Sequence, residues 1–593
     1  MKKTNIWTIR LLIVIVGGLL FIPFLGSVHL FDWDEINFAE CAREMIRSHD
    51  YSSASINYFP FWEKPPLFIW MQVISMKVFG VNEFAARLPN ALCGISTLLI
   101  IFNTGNLIYG RRFGLLWVLA FTGSLLPHFY FKSGLIDPLF NLLIFLGIYQ
   151  YACYTHENGE YISKTMLNKR VLLSALFISF AILTKGPVAA LVFGLCFIVY
   201  SISQKHFAIT LRHLLFYCLI IAMLGGSWFL VLISKGRTDV VLEFVNYQIR
   251  LFSTEDADHG GPVYYHFIVL FIGCFPASIF AMRAFAKSNS DTPWQKHMKR
   301  WMLILFWVVL VLFSVVKTKI VHYSSLCYFP LSYLAAYTAY KWLLGEISWK
   351  KWMTICTWIA GGILAFLLIV LQFMAQFKSR IIASGLIADD FVLGNLQAGV
   401  YWSGFEFLIG VLFLFSVCLG IWFAVRNRSA ESILTLFIGT LFVTSFSIIV
   451  FAPRIEGYSQ HAAIEFYESL REKDCYVDVA GFKSYAHLFY ADKKFQASHN
   501  ALADAWLKEK KVSVRDEHTG DYIGGLYSSW LSSGNVDKPV YFVCKNIYES
   551  EFRHLHPSFS RLYARNGFVF FLRDMPVSAE TGKAVTPASR QQK

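Results

Sequence analysis

Long apolar runs recur along this chain and constrain its fold more than any other feature. Runs of about 20 residues, the length that crosses a ~30 Å hydrocarbon layer as a helix, recur between Leu11 and Phe451. A helix also satisfies its own backbone polar groups inside lipid. Of the 593 residues, 56% are hydrophobic and only 16% are charged, far from the balance of a soluble protein. The sequence therefore predicts a mainly α-helical, polytopic membrane protein.

The loops between these runs alternate in charge. If the N-terminus is cytoplasmic, the inner loops hold most of the lysines and arginines, which is the positive-inside pattern. This pattern accounts for the net charge of +14 without nucleic-acid binding. An odd number of spans then places everything after about Ala452 on the outer side. The thirteen predicted spans are 9–29, 87–108, 114–131, 135–154, 171–185, 187–203, 213–233, 264–283, 301–316, 321–340, 353–376, 403–425 and 431–452.

The first apolar run has an alternative interpretation. Lys2 and Lys3 precede it, as basic residues precede the apolar core of a cleaved signal peptide. Cleavage would leave the charge alternation of the later loops intact. It would also cut the chain just before its most acidic stretch, LFDWDEINFAE, residues 30–40.

Two outer segments interrupt the predicted membrane domain, residues 1–452. Residues 30–86 hold two short helices, 34–48 and 65–79, which are too short or too polar to span and are typical of interfacial helices. The second segment is an outer loop at 234–263.

The composition changes at about Pro453 to a mixed, charged sequence. A small soluble α/β domain is predicted over 453–576, followed by a disordered tail, 577–593. Cys475 and Cys544 in this domain are either a disulfide or two buried free thiols, and no Cys/His metal spacing occurs. The segments behind this prediction are strands at 475–482 and 538–545, a helix at 499–511, and a hairpin at 560–574 that turns at Asn566-Gly567.

The polar motifs share the outer face in this topology. Four lysines there run against the positive-inside bias. They favour an anionic partner, and carboxylates at the same level would repel that partner unless each had a separate task. The pattern predicts a mixed acid/base site for a lipid-linked phosphate. Its candidates are Asp34 and Glu35, Glu63 and Lys64 in WEKPP, Asp137, Lys185 in TKGP, His259 in DADHGGP, and Lys317, Lys319, His322 and Tyr323 in KTKIVHY.

Each charged group also has a purely structural interpretation. Asp137 before Pro138 is a good helix N-cap. The spacing of Glu40, Arg43 and Glu44 is typical of ion pairs on a solvated helix face. The remaining structural readings are an interfacial charge for Asp32, a loop histidine for His259, and helix-end side chains reaching the interface for Lys77 and Arg87.

A transporter or flippase for an anionic or lipid-linked substrate is the alternative function. Transporters also place ionisable residues in a cavity, but near the bilayer midplane, on broken helices and often within internal repeats. No repeat is apparent in this sequence, and its charged motifs cluster at helix ends. The outer loop and the soluble domain also favour an enzyme.

Six motifs in order resemble a known superfamily. They are DWDEINFAECAREM, FPFWEKPPLFIWMQVISMKVFGVNEFAARLPN, LIDPLF, LTKGPVA, DADHGGPVYYH and KTKIVHYSSLCYFPL, within about residues 1–340. They resemble the GT-C membrane glycosyltransferases, specifically the ArnT-like and protein O-mannosyltransferase superfamily. The resemblance implies a GT-C fold in a multi-pass protein of the bacterial inner membrane, with the N-terminus cytoplasmic and the C-terminal domain periplasmic.

The resemblance also implies an activity. Such enzymes transfer one sugar, hexose or pentose, from a polyprenyl-phosphate donor to a lipid (lipid A), glycan or protein acceptor on the periplasmic face, usually with inversion. By motif position, Asp34 is implied as general base, with Glu35 and Asp137 assisting it. Lys64 and Tyr323 are implied to contact the donor phosphate. No cofactor is required, although Glu63 and His259 fall where ArnT-like enzymes can hold a divalent metal, zinc or magnesium.

One position departs from the ArnT-like pattern. That pattern reads DExRYAE, with an arginine that helps to hold the donor phosphate, whereas this chain reads DEINFAE, with Asn37 at that position. The departure weakens a transfer of aminoarabinose specificity more than it weakens the reaction class. Lys185 or Lys317 is expected to supply the missing charge.

Overall fold

The membrane part is a bundle of apolar helices. The computed structural model describes residues 5–158, 168–205, 207, 209–253, 260–285, 290–493, 500–510 and 520–575. The predicted tail, 577–593, and His259 lie outside these residues. Within them, five helices are long and apolar enough to cross a membrane, or up to eight if three bent pairs each count as one span. The mainly helical membrane fold is therefore confirmed.

A helix or a bent helix pair occupies each of the thirteen predicted spans. Helix Ile6–Phe21 packs along Glu83–Tyr109, where Arg10 donates to Asn103 at 2.9 Å. The other helices of this part are Arg111–Thr122, Leu125–Phe129, Asp137–Asn158, Lys169–Lys185, Val188–Gln204, Leu211–Ile220, Ser227–Ser234, Tyr265–Gly273, Ala277–Arg283, Pro293–Val315, Tyr328–Leu343, Lys351–Gln376, Lys378–Ala383, Asp390–Leu396, Phe407–Val425 and Ser429–Ser459, with 3-10 turns at Tyr130–Lys132 and Val321–Cys327 and a π-turn at Ile221–Gly225.

Three predicted spans are bent rather than straight. The bends measure 83° between Arg111–Thr122 and Leu125–Lys132, 48° after the π-turn, and 108° between Tyr265–Gly273 and Ala277–Arg283. The breaks fall at Gly123, Gly226 and Pro276. Glycine and proline are usual causes of sharp kinks, because proline removes a backbone hydrogen bond of the helix and glycine has no side chain to restrict its backbone.

Both predicted short helices of residues 30–86 form, as Asp34–Ser48 and Leu67–Phe79, with a small hairpin of β1 (Ser55–Ile56) and β2 (Phe59–Pro60) between them. The predicted solvated face of the first helix is wrong. Glu40, Arg43 and Glu44 are 0%, 1% and 0% exposed, because Arg43 packs against the C-terminal domain and Glu44 accepts from Ser55 and Tyr58 of the small hairpin. Arg43 donates twice to Glu40, at 2.7 and 2.6 Å, and once to Asp492 of that domain at 3.0 Å.

The C-terminal domain begins at about His461, whereas the predicted boundary at Pro453 lies inside helix Ser429–Ser459. Its sheet contains β3 (Tyr476–Ala480), β4 (Val540–Lys545), β5 (Ser560–Arg565) and β6 (Phe568–Arg573). The strand order is β3-β4-β6-β5, with β3 and β4 parallel and the other pairs antiparallel. Its helices are His461–Ser469, Ala486–Ala491, Ala501–Glu509, Gly520–Ser533 and Glu549–Leu555, with a 3-10 turn at Asn546–Tyr548.

Both faces of strand β6 are buried, one inside the domain and one against the membrane part, whereas the edge strand β5 is exposed. Along β6, Val569 and Phe571 pack with Trp530 inside the domain, while Phe568 and Phe570 join the cluster that includes Ile36. The predicted hairpin at Asn566-Gly567 is confirmed, with φ of 51° and 81° at these residues, as a type I′ turn requires. Cys475 and Cys544 are buried free thiols.

Candidate active site

A cavity of about 610 Å³ lies where the helix ends of the membrane part meet the C-terminal domain. Its walls combine apolar side chains, such as Val188, Val192 and Phe313, with a dense set of polar ones. A cavity of this size that is mostly apolar with a few convergent polar groups is typical of a ligand site. The polar lining residues are Asp32, Asp34, Glu35, Asn37, Glu63, Lys64, Asp137, Asn141, Lys185, Tyr247, Gln248, Arg250, His322, Tyr323 and Lys483.

Asp34 enters this cavity from the first turn of helix Asp34–Ser48. The preceding residue, Trp33, has φ of 75°, a conformation that is rare and costly for a bulky side chain. It turns the chain sharply from the end of the first apolar segment into the helix. The Asp34 side chain is 37% exposed, and its Oδ2 lies 3.5 Å from Nε2 of His322. The carboxylate is therefore accessible to a ligand and adjacent to an imidazole.

Asp137 and Lys185 form a pair that lines the same cavity. Asp137 begins helix Asp137–Asn158, and Lys185 ends helix Lys169–Lys185 with its Nζ 2.5 Å from Oδ1 of Asp137. The TKGP motif explains the position of Lys185. Gly186 has φ of +96° and ends the helix, and a Cβ there would lie 2.8 Å from Phe244. Such a glycine followed by proline is a typical helix stop.

His322 and Tyr323 are presented by the 3-10 turn Val321–Cys327. Nε2 of His322 lies between the two aspartates, 3.5 Å from Asp34 and 3.8 Å from Asp137. A buried network holds the turn from behind, where Asn141 donates to Ser325 at 2.8 Å and Ser325 donates to the His322 carbonyl. His322 is one of the predicted site candidates, although its motif indicates no particular role for it.

Lys64 and the helix Thr238–Ser253 form a third wall. Nζ of Lys64 lies 5.0 Å from the ring centre of Tyr247 and 3.9 Å from Oε2 of Glu63. Arg250, one turn further along the same helix, also lines the cavity. The predicted outer loop 234–263 thus contains a helix that contributes an additional cation to the site.

Glu35 lies at the cavity wall but its oxygens are fully engaged. Arg87 donates to both oxygens, at 3.0 and 2.8 Å, and the backbone amides of Phe31, at 2.9 Å, and Gly134 donate as well. Burial alone would raise the pKa of Glu35, but Arg87 and the two amides outweigh burial and lower it. The prediction that Arg87 reaches the interface is wrong, because its side chain is buried in this pair.

Two predicted phosphate-binding lysines are located elsewhere. Lys319 is buried, and its Nζ donates to the carbonyls of Phe313, Ser314 and Val316 at the end of helix Pro293–Val315. A lysine in that position satisfies the unpaired carbonyls of a helix terminus. Lys317 is exposed and is not among the residues that line the cavity.

The structure describes only one of the two residues predicted to hold a metal. Glu63 lies at the cavity, while His259 lies outside the described residues. The Glu63 carboxylate is 3.9 Å from the Lys64 ammonium and 3.4 Å from the Tyr247 hydroxyl that donates to it. A neighbouring ammonium opposes a second cation, and zinc sites use three or four protein ligands. Among the described residues, Glu63 belongs to no group of three metal ligands, and the predicted pairing of Glu63 with His259 stays a prediction because His259 lies outside them.

The C-terminal domain contributes directly to the cavity. Lys483 lines it and lies about as close to the Trp33 ring, 6.0 Å, as to the ring of Tyr485, 5.7 Å. Asp32 bonds to the Ser484 side chain and the Tyr485 backbone across the same junction. Burial raises the pKa of Asp32, while these bonds oppose the rise. Asp32 thus links the membrane part to the C-terminal domain and is not an interfacial charge. No feature of the sequence indicated that Lys483 would line the cavity.

This arrangement can bind an anion and accept a proton in one space. Lys64, Lys185 and Arg250 supply positive charge, and Asp34 is an accessible carboxylate beside His322. Groups of both signs around a cavity with largely apolar walls are suited to stabilising charge that develops when a bond to phosphate breaks.

Sequence comparison finds several similar proteins. A family model described as dolichyl-phosphate-mannose-protein mannosyltransferase matches residues 63–229. An undecaprenyl phosphate-alpha-4-amino-4-deoxy-L-arabinose arabinosyl transferase of Shewanella sediminis is 25% identical over 318 residues, or 54% of this chain and 57% of that protein. A protein of the same name from Pectobacterium carotovorum is 24% identical over 355 residues, or 58% of this chain and 61% of that protein. The matched part spans less than two thirds of either relative.

Structure comparison extends over nearly the whole chain. The crystal structure of ArnT from Cupriavidus metallidurans bound to undecaprenyl phosphate superposes with a TM-score of 0.70, covering 98% of this chain and 100% of that one. The two sequences are 16% identical, so this likeness establishes the fold. The chain therefore has the GT-C fold, and its predicted resemblance to the superfamily of ArnT-like and protein O-mannosyltransferases is confirmed.

Proposed function

We propose that the protein is an integral-membrane glycosyltransferase that moves a single sugar from a polyprenyl-phosphate donor to an acceptor. One observation carries the proposal: an accessible carboxylate, Asp34, and two cations, Lys64 and Lys185, face the same largely apolar cavity at the helix ends. The names of the relatives support a lipid-linked donor. The chemistry takes place on the side of the C-terminal domain, which we take to be the periplasmic side of a bacterial inner membrane, with the N-terminus cytoplasmic.

Donor phosphate binds to the cationic wall in this proposal. Lys64, Lys185 and Arg250 approach the cavity from three different elements, and Tyr323 adds a hydroxyl near Lys185, whose Nζ is 5.2 Å from its ring centre. Ammonium and guanidinium groups form strong charge-assisted bonds to phosphate. The apolar wall of Val188, Val192 and Phe313 would accept the first part of the lipid tail. Lys317 and Lys319 have no part in this site.

Asp34 is the general base. It accepts the proton of the acceptor hydroxyl while that oxygen bonds to the anomeric carbon, and the bond from this carbon to the phosphate oxygen breaks on the opposite side. The polyprenyl phosphate departs as an anion toward the lysines and needs no protonation. Attack opposite the leaving group inverts the anomeric configuration. His322 lies 3.5 Å from Asp34 and 3.8 Å from Asp137, so it can orient both carboxylates.

Asn37 bears on which sugar the site accepts. It lines the cavity where the ArnT-like pattern has arginine, and Lys185 and Arg250 provide positive charge in the same space. Arginine would carry a fixed positive charge at this position, whereas the asparagine amide is uncharged and both donates and accepts hydrogen bonds. Such a group suits a neutral hexose or pentose as well as an amino sugar. Lipid, glycan and protein hydroxyls all satisfy the mechanism as acceptors.

The direct test is transfer in detergent. Purified protein is mixed with a radiolabelled polyprenyl-phosphate sugar and with lipid A, glycan or peptide acceptors, with no membrane gradient. Labelled acceptor and released polyprenyl phosphate in equal amounts are expected. A transporter would bind the donor and leave it intact, so an unreacted donor with every acceptor class, together with movement across vesicles, would overturn the proposal in favour of transport.

Replacing Lys185 with Ala should weaken donor binding by about 10-fold to 100-fold, because a hydrogen bond to a charged group is worth roughly 1.5–3 kcal/mol. Lys317→Ala is the matched control, since this lysine is exposed outside the cavity, and its donor affinity should stay at the parent value. Donor affinity is measured by titration of the purified protein. Equal affinities in the two variants would remove Lys185 from the phosphate site.

A further inference from the structure

Two histidines and a carboxylate meet outside the cavity, at the junction of the membrane part and the C-terminal domain. His29 follows the first membrane helix, Glu456 lies in the last turns of Ser429–Ser459, and His461 begins the next helix. One ligand atom of each lies within 4.8 Å of the others. Nδ1 of His29 is 2.8 Å, and Nδ1 of His461 3.1 Å, from the same oxygen of Glu456.

We propose that this cluster is a divalent metal site, with zinc as the best-matching ion. Two imidazole nitrogens and one carboxylate oxygen are a known zinc ligand set, with water as the fourth ligand. Zinc bonds of about 2.0–2.2 Å place tetrahedral ligand atoms roughly 3.3 Å apart. The contacts of 2.8 and 3.1 Å need to open by only a few tenths of an ångström to admit the ion.

The backbone around His29 is held before any metal binds. The carbonyl of Leu30 accepts from Gln460 at 2.8 Å, and its amide donates to the Tyr490 hydroxyl at 2.7 Å. The carbonyl of His29 itself accepts from Arg87 at 3.0 Å. Since Gln460 stands directly before His461, the same bonds also fix the separation of the two histidines. Fixed ligands lose little conformational entropy on binding, which favours affinity.

A second carboxylate favours a cation at the same place. Oε1 of Glu468 lies 3.7 Å from Nε2 of His29, whereas the other ring nitrogen, Nδ1, faces Glu456. A carboxylate behind a metal-bound histidine fixes its tautomer and raises its basicity. Protonated histidines paired with Glu456 alone would also produce the short contacts, so the test must separate metal binding from an ion pair.

Metal binding is measured on the full-length protein in detergent, purified with a histidine-free tag and treated with a chelator. One zinc per chain is expected by elemental analysis after equilibration with zinc. Cobalt in place of zinc should give the strong visible absorption of a tetrahedral site. His461→Gln should lower zinc affinity by at least about 10-fold and remove the absorption. His461 is 42% exposed, the most exposed of the three side chains, so its replacement disturbs folding least.

The matched control is His554→Gln, an exposed histidine in the same domain, which should leave zinc stoichiometry and affinity unchanged. Glu468→Gln should weaken zinc binding about 10-fold without abolishing it. Equal zinc affinity in the parent and in His461→Gln would overturn the proposal, as would a parent that binds no zinc; either result would leave the cluster as an ion pair only. Metal content is read without an activity assay, so this test is independent of the proposed transfer reaction.

Discussion

Replacing Asp34 with Asn is expected to abolish sugar transfer while leaving donor binding close to that of the parent. The amide keeps the size of the side chain but cannot take a proton, and loss of a general base typically lowers the rate by about 10²-fold to 10⁴-fold. The proposed phosphate contacts come from Lys64 and Lys185, which the substitution does not touch. Turnover is measured with labelled donor, and donor affinity by titration of the same preparation.

The matched control for this prediction is Asp50→Asn. Asp50 belongs to the same segment before the second membrane helix, but it pairs with Ser52 and Lys235 outside the cavity. Its variant should turn over at the parent rate. Near-normal turnover of Asp34→Asn would instead exclude Asp34 as the base, and loss of donor affinity in that variant would place Asp34 in donor binding.

Replacing Glu35 with Gln is expected to destabilise the protein by about 3–5 kcal/mol, the usual cost of leaving one member of a buried ion pair unpaired. The partner left behind is Arg87, whose guanidinium is buried and has both Glu35 oxygens as acceptors. The free energy of unfolding is measured by denaturant titration in detergent at neutral pH.

The difference between the parent and this variant should depend on pH. The pKa of Glu35 is lowered in the folded state, so its ionised form stabilises the fold above its unfolded pKa. This contribution is lost as pH falls through the folded pKa, and the two unfolding curves should then converge. The control is the double variant Glu35→Gln with Arg87→Gln, which removes both charges and keeps polar side chains near the backbone groups that the pair satisfies. The difference in unfolding free energy between this variant and Glu35→Gln should not change with pH. A difference between the parent and Glu35→Gln that does not change with pH would show that the pair is not the cause.

The parts of the structure that local sequence determines were predictable. The TKGP motif indicated a helix that ends at Lys185, because glycine adopts positive φ and proline cannot continue a helix. The Asn566-Gly567 turn was predictable for the same kind of reason. The motifs of the first 340 residues also predicted that Asp34, Lys64, Asp137 and Lys185 would share one face, and all four line the cavity.

The features that depend on tertiary partners were not predictable. The spacing of Glu40, Arg43 and Glu44 is the same on a solvated and on a buried helix face. Only their contacts with Asp492 and with the small hairpin decide between the two. Lys319 has a side chain of the type that binds phosphate. Its ammonium instead donates to helix-end carbonyls within six residues of it in sequence. The predicted site also lacked Lys483, which lies more than 400 residues away from Asp34 in sequence and follows no recognisable motif.

The contact of Asp32 with Ser484, beside Lys483 at the cavity, has a consequence for exchanging parts between relatives. Residues 31–33 and Lys483 line the cavity together, and Ser484 and Tyr485 hold Asp32 from behind. A chimaera that keeps the membrane helices and imports a foreign C-terminal domain would therefore keep only one of these two stretches. Such a hybrid would carry a mismatched seam beside the cavity. The two stretches should therefore be transplanted together, and natural variation in one should be accompanied by matching variation in the other.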